Sequence, residues 1–294
     1  MRDTLLHGQR LGLTVTIAGT LMFVPDALIL RLIGGSVMDI AIWRSLFACA
    51  ATAVGVALFA RHTIPSRAQF LSWPTLIFIL LHGVSSLLFL GAIGHTTIAN
   101  TLLISATAPF LAAVLSWLFL GERIARATMY GIIAVFAGVA IIASGSLGGV
   151  HLLGDLLALT NSFCMAAYYT VLRRSPERSL IFPSIFGFLV TALVAWPLAP
   201  HLAMSAGQIG LMALSGAVIL TGGSALLIIA PRYLPAPEVT MITMLEVVAT
   251  PVLVWIVLGE NPGPRSVLGG AVIFAALMAH AAWRFRMPAP SRPA

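Results

Sequence analysis

Charged residues are scarce in this sequence. Asp, Glu, Lys and Arg make up only 9% of its 294 residues, whereas soluble domains carry about 25%. A water-exposed surface cannot be built from so few charges, and 60% of the residues are hydrophobic. The scarcity therefore excludes a sizeable soluble domain and predicts an integral membrane protein whose surface largely faces lipid.

Lysine is missing altogether, and all 16 basic residues are arginine. Because lysine codons are AT-rich, this absence, together with abundant alanine, glycine and valine, indicates a GC-rich bacterial genome. In a soluble protein the formal net charge of +7 would suggest nucleic-acid binding. Here the arginines stand between apolar segments rather than in one patch, so we predict no nucleic-acid partner.

Reactive motifs are missing as well. The two cysteines, Cys49 and Cys164, fall inside apolar segments, which argues against a structural disulfide. There is no H-E-x-x-H zinc motif, no G-x-S-x-G nucleophile motif and no P-loop for phosphate. These absences disfavour an intramembrane enzyme and pumping driven by ATP hydrolysis in this chain. We expect neither a metal nor a cofactor.

Long apolar segments fill nearly the whole chain. A bilayer span needs roughly 20 apolar residues, and short breaks rich in glycine, serine and proline separate most of the segments. We therefore predict an all-α membrane protein with ten transmembrane helices, at 11–33, 39–60, 74–94, 97–119, 127–144, 152–172, 181–198, 208–230, 237–258 and 266–283.

The arginines predict the orientation of these spans. If the N-terminus is cytoplasmic and each segment crosses once, 13 arginines lie on the cytoplasmic side and one, Arg265, on the other. Arginine is enriched in cytoplasmic loops, so this split supports ten spans with both termini inside. We predict a multi-pass protein of the bacterial inner membrane. The cytoplasmic set is Arg2, Arg10, Arg61, Arg67, Arg123, Arg126, Arg173, Arg174, Arg178, Arg232, Arg284, Arg286 and Arg292.

The chain also contains an internal repeat. The hexapeptide 117–122, Trp-Leu-Phe-Leu-Gly-Glu, ends the fourth span, and 255–260, Trp-Ile-Val-Leu-Gly-Glu, ends the ninth, 138 residues later. Each half, 1–146 and 147–294, then holds five spans, and an odd number reverses the direction of the second half. The pattern predicts two inverted five-helix repeats, with a solute site near the midplane between them.

These features resemble the drug/metabolite transporter superfamily in its ten-helix form with two EamA domains. The resemblance rests on the two Leu-Gly-Glu ends, Pro109 twelve residues before Gly121, the pair Leu245 and Glu246 in the second half, and Arg44 early in span two. It covers nearly the whole chain. It implies a helical bundle that alternates between inward and outward openings and carries amino acids, other metabolites or drugs, often against protons.

Two positions depart from the family pattern. Val247 follows the glutamate where many members carry proline, and the proline stands instead at Pro251, which predicts a kink in span nine displaced by a turn. Asp26, beside Pro25 in span one, is an acid that is not a general feature of the family.

Three ionisable residues within spans are the first candidates for a substrate or proton site. A charge at such depth costs several kcal/mol unless it is paired, solvated or protonated. Glu246 lies about halfway along span nine and Asp26 in span one. Arg44 could bind a carboxylate through its guanidinium. The structural alternatives are a packing glutamate, and an arginine that snorkels to the headgroups or pairs with Asp39 or Asp26.

Four polar residues at depth complete the candidate site: His82, Asn100, Asn161 and Tyr168. Each could face a wet cavity, and the alternative for each is an ordinary hydrogen bond between helices. Three further polar residues are expected to have structural roles. His280 is expected at the inner interface, and Glu122 and Glu260 are expected to act as loop and cap residues near Arg123 and Arg265.

The sequence thus predicts a secondary active transporter of small metabolites, amino acids or related amphipathic solutes. An exporter coupled to protons is the first expectation, and an importer or a carrier of cationic drugs is the alternative. The predicted partners are a small-molecule substrate, protons and the lipid bilayer, and the predicted assembly is a monomer or a homodimer.

Overall fold

A computed structural model describes residues 2–96, 98–144, 152–199, 204–259 and 263–286, and within these ranges the chain is helical with no strand. Fourteen α-helices follow one another in the described residues. They are α1 (Arg2–Ile33), α2 (Val37–Phe59), α3 (Arg67–Phe70), α4 (Trp73–His95), α5 (Ile98–Ser105), α6 (Ala108–Leu120), α7 (Arg126–Ala143), α8 (Leu152–Arg174), α9 (Ile181–Ala195), α10 (Ala206–Ala213), α11 (Thr221–Ile229), α12 (Ala236–Thr243), α13 (Leu245–Leu258) and α14 (Pro264–Arg286).

The described helices are apolar on the outside, as a lipid-facing protein requires. Phe59, Trp73 and Ile256 are among many large apolar side chains that lie exposed. Among the described residues, seven helical stretches are long and apolar enough to cross a membrane, and two shorter apolar stretches occur at Arg126–Ile142 and Val267–Trp283. The chain is therefore a multi-pass membrane protein, while the count of ten spans stays a prediction.

Two spans are broken at the same place in the two halves. The fourth predicted span divides between Ser105 and Ala108, and the ninth between Thr243 and Leu245. Each second part ends at a glycine in the left-handed conformation, Gly121 with φ 66° and Gly259 with φ 69°. Glycine adopts this conformation without the strain of a Cβ, which explains why the Leu-Gly-Glu phrase ends both helices.

The prolines relate differently to the two breaks. Pro109 stands in the first turn of α6, where a missing N–H costs nothing because it would have no partner in the helix. The chain breaks at Met244, beside Leu245 and Glu246, and Pro251 lies within α13. The kink at Pro251 stays a prediction.

A second irregularity lies in the eighth predicted span. Between α10 and α11 the backbone forms a π-helix over Leu214–Leu220. Such wide turns are rare and occur often at functional sites. This one packs on α1 and α2, and a Cβ added at Gly216 would collide with the carbonyl oxygen of Arg44. The missing side chain therefore lets the π-helix approach the backbone of α2.

Candidate functional site

The side chains of Asp26 and Arg44 form a buried ion pair between α1 and α2. The guanidinium Nη2 donates to Oδ2 of Asp26, and both side chains are more than nine-tenths buried. Of the partners considered for Arg44, namely Asp26, Asp39 and the headgroups, the structure selects Asp26. A buried charge at this depth requires such a partner.

Ser215 completes this cluster from the π-helix. Its hydroxyl donates to Oδ1 of Asp26 at 2.5 Å, and its side chain is fully buried. Ser215 was not predicted as a site residue, because a serine in an apolar segment is ordinary. The adjacent Gly216 was the available signal, since a serine and a glycine together mark a point of close helix contact.

The Arg44 guanidinium has a donor that no described residue accepts. Its Nε is buried and has no hydrogen-bond partner within the described part of the chain. A buried, unsatisfied donor on a charged group is costly, so this N–H has reason to bind an acceptor from outside the protein. A carboxylate suits it well, because a hydrogen bond between two charged groups is stronger than one between neutral groups.

Glu246 lies in the first turn of α13, directly after the break at Met244. It is partly exposed and makes no hydrogen bond or ion pair with any described residue. Its charge interacts with Asp26, which repels it, and with Arg44, which attracts it. The structure thus brings together the three ionisable residues that the sequence analysis placed first.

His82 and Tyr168 lie in an aromatic cluster between α4, α8 and α9. The His82 ring is 5.0 Å from Phe188, 5.4 Å from Phe78 and 5.9 Å from Tyr168 between ring centroids. Nδ1 of His82 is buried without a hydrogen-bond partner in the described residues. Gly187 makes room for the ring, because a Cβ there would lie 2.6 Å from that nitrogen.

Tyr169 connects the aromatic cluster with the acidic residues. Its ring lies 4.4 Å from that of Tyr168, and it interacts electrostatically with Glu246. Asn161, by contrast, is buried and accepts a hydrogen bond from the Ser85 hydroxyl at 2.6 Å, which is the ordinary contact between helices. The side chain of Asn100 lies outside the described residues.

The predicted inner ends of the helices carry a separate polar contact. Glu122 pairs with Arg173 at the end of α8 rather than with Arg123. The distance from Nε of Arg173 to Oε1 of Glu122 is 2.9 Å. Arg173 also donates to the carbonyl of Pro231 at 3.1 Å. These bonds tie the loop after α6 to α8 and to the turn before α12. Glu260, its counterpart in the repeat, lies outside the described residues.

His280, which was expected at the inner interface, is buried among the helices. It is 4% exposed and hydrogen-bonds through Nε2 with the Thr128 hydroxyl at 3.2 Å. Among the described residues, no three His, Cys, Asp or Glu side chains are grouped so as to hold a metal ion.

Comparisons with known proteins identify relatives of this chain. A pseudopaline exporter of Pseudomonas aeruginosa, CntI, is 27% identical over 219 residues, or 68% of this chain and 73% of the exporter, in strains UCBPP-PA14 and PAO1 alike. A solved crystal structure, 15% identical, superposes with a TM-score of 0.79 over 95% of this chain and all of its own, which shows the shared fold.

The sequence model of the EamA-like transporter family matches the chain twice, at residues 8–144 and 152–280. Together the two matches cover most of the 294 residues, and they describe transporters rather than enzymes. This chain belongs to the EamA-like transporter family.

Proposed function

We propose that the protein is a secondary active exporter of small metabolites, coupled to protons, in the bacterial inner membrane. The observation that carries the proposal is the buried cluster of Asp26, Arg44 and Ser215 with Glu246 in electrostatic range. Ionisable residues inside a membrane bundle mark substrate and ion pathways by default. Glu246, which is partly exposed and makes no ion pair, is the proton-binding group in this proposal.

The same groups favour a zwitterionic or amphipathic substrate. The free Nε of Arg44 supplies a donor for a carboxylate. Glu246 supplies an acceptor for an amine, and the partly exposed ring of Tyr168 supplies apolar surface. Amino acids and related amphipathic metabolites combine these three features, so we propose them as the substrate class.

Export is proposed as the direction because the relative CntI is named as an exporter. Import is the alternative, since a reversible carrier follows its gradients. A carrier of cationic compounds is the second candidate, because the Tyr169 ring, which interacts electrostatically with Glu246, together with that acid also suits an organic cation.

Ten spans in two inverted repeats, 1–146 and 147–294, are the proposed architecture. The breaks after Ser105 and Thr243 and the left-handed glycines 121 and 259, all 138 residues apart, support it. So does the double match to the family. In this arrangement both termini are cytoplasmic and the protein acts as a monomer or homodimer.

Counterflow in proteoliposomes tests the proposal. Vesicles containing the purified protein are loaded with a mixed amino-acid pool, and labelled amino acids are added outside one at a time. We expect transient accumulation of at least one label above protein-free vesicles. Counterflow of cationic compounds alone would favour the second candidate. If neither class exchanges although the protein is folded, the proposed function is wrong.

A further inference from the structure

A second buried cluster of ionisable residues lies apart from the candidate site. Glu238 in the first turn of α12, His280 near the end of α14 and Thr128 near the start of α7 come together, and their exposed fractions are only 3%, 4% and 2%. The helix α7 joins the other two, because it packs along α14 and against α12. None of these residues belongs to the group around Glu246.

The Thr128 hydroxyl stands between the carboxylate and the imidazole. Its oxygen is 3.2 Å from Nε2 of His280 and 3.5 Å from Oε1 of Glu238, the long limit of a hydrogen bond. A hydroxyl donates one hydrogen and accepts others. It can therefore donate to the carboxylate while accepting from Nε2–H, or donate to Nε2 while accepting from a protonated Glu238.

These two arrangements differ by the position of one proton. When Glu238 gives its proton to the Thr128 oxygen, the hydroxyl gives its own to Nε2. One O–H bond breaks and one N–H bond forms, while the hydroxyl is regenerated. If Nδ1 carries its hydrogen, a neutral acid and imidazole become a carboxylate and an imidazolium. Burial opposes a lone charge on either residue, so each stabilises the charge of the other.

Other charged groups on the neighbouring elements have partners of their own. Glu122, which follows α6, pairs with Arg173 of α8. Arg232, on the turn before α12, donates to the carbonyl of Arg178.

Three further ionisable groups near the cluster lie toward the surface. Arg10 of α1 is exposed, as is Arg126 at the start of α7. Tyr233 is an exposed phenol on the turn before α12, and α14 continues beyond His280 to Arg284 and Arg286. Glu238 and His280 make contacts in addition to Thr128, so the cluster is embedded in its surroundings.

We propose that Glu238, Thr128 and His280 form a proton-binding site at the ends of α7, α12 and α14, with the Thr128 hydroxyl passing the proton between Glu238 and His280. The site is separate from the substrate groups and does not depend on the proposed transport function. It lies on α12, whose eight residues are all buried and which leads directly to the break before Glu246. Binding of a proton there alters the contacts that hold α12.

Trp283 offers a direct readout of this site. Its ring centroid is 5.7 Å from that of His280, and a protonated imidazole quenches indole fluorescence at contact distance. The emission of the purified protein in nanodiscs is followed from alkaline to acid pH, and the emission of Trp283→Phe is subtracted. We expect the Trp283 emission to fall on acidification in one transition that is lost in His280→Gln.

Two pairs of variants decide whether Glu238 and Thr128 belong to the site. Removing a nearby opposite charge by Glu238→Gln should move the transition to lower pH by about one pH unit or more, whereas Glu177→Gln, the same change at an exposed residue, should leave it in place. Thr128→Val should alter the transition and Thr128→Ser, which keeps the hydroxyl, should not. A transition that Glu238→Gln and Thr128→Val both leave unchanged overturns the proposal, as does pH-independent Trp283 emission.

Discussion

Replacing Glu246 with glutamine should abolish proton-dependent transport and lower counterflow of the wild-type substrate more than tenfold. Glutamine keeps the shape of the side chain but neither binds a proton nor carries the charge that interacts with Asp26 and Arg44. An interaction with a charged group contributes about 1.5–3 kcal/mol, and about 1.4 kcal/mol corresponds to a factor of ten. Initial counterflow rates in proteoliposomes at two pH values measure both effects.

Glu177→Gln is the matched control for this experiment. The Glu177 side chain is 71% exposed, with a distant contact to Arg178 at 3.9 Å, so the same chemical change there should leave transport and its pH dependence intact. Thermal unfolding of both variants shows whether the protein remains folded. Wild-type rates and pH dependence in Glu246→Gln would remove Glu246 from the transport cycle.

The ion pair of Asp26 and Arg44 should show opposite results in single and double variants. Asp26→Ala or Arg44→Ala leaves one buried charge without its partner, which costs about 3–5 kcal/mol. Removing both side chains leaves no uncompensated charge, so the double variant should regain much of the stability. Transport should be lost in all three, because the guanidinium that binds the carboxylate is absent or mispositioned. Melting temperatures and counterflow measure the two effects separately.

Arg67→Ala, at an exposed position in α3, is the control for loss of an arginine and should change neither quantity. The decisive variant is the double one. If it is stable and transports at the wild-type rate, the ion pair is only structural and the substrate site lies elsewhere. If the double variant is as unstable as the single variants, the loss of stability in the single variants does not come from an unpaired buried charge.

The ionisable part of the site was predictable because charge inside a membrane is rare and must find a partner. Asp26, Arg44 and Glu246 stood out for that reason. The choice of Asp26 over Asp39 as the partner of Arg44 came from the structure, in which Asp26 of α1 reaches Arg44 of α2. The role of Ser215 was not predictable in the same way. It depends on a π-helical turn, and no local sequence rule places such a turn at Leu214–Leu220.

The helix ends were also predictable only in part. The Leu-Gly-Glu phrase indicated where α6 and α13 stop, since only glycine takes the left-handed conformation without strain. It did not reveal that Glu122 pairs with Arg173, because that contact joins residues 51 positions apart. The contact of His280 with Thr128 of α7 was likewise not predictable, because it joins residues 152 positions apart.

Accumulation driven by an imposed pH gradient tests the central claim most directly. Proteoliposomes containing the wild-type protein are given a proton gradient, and labelled substrate and internal pH are followed together. We predict concentrative uptake in exchange for protons, abolished by a protonophore and absent in Glu246→Gln. Equilibration of the label to equal concentrations on both sides, with no response to the gradient, would contradict a proton-coupled secondary transporter.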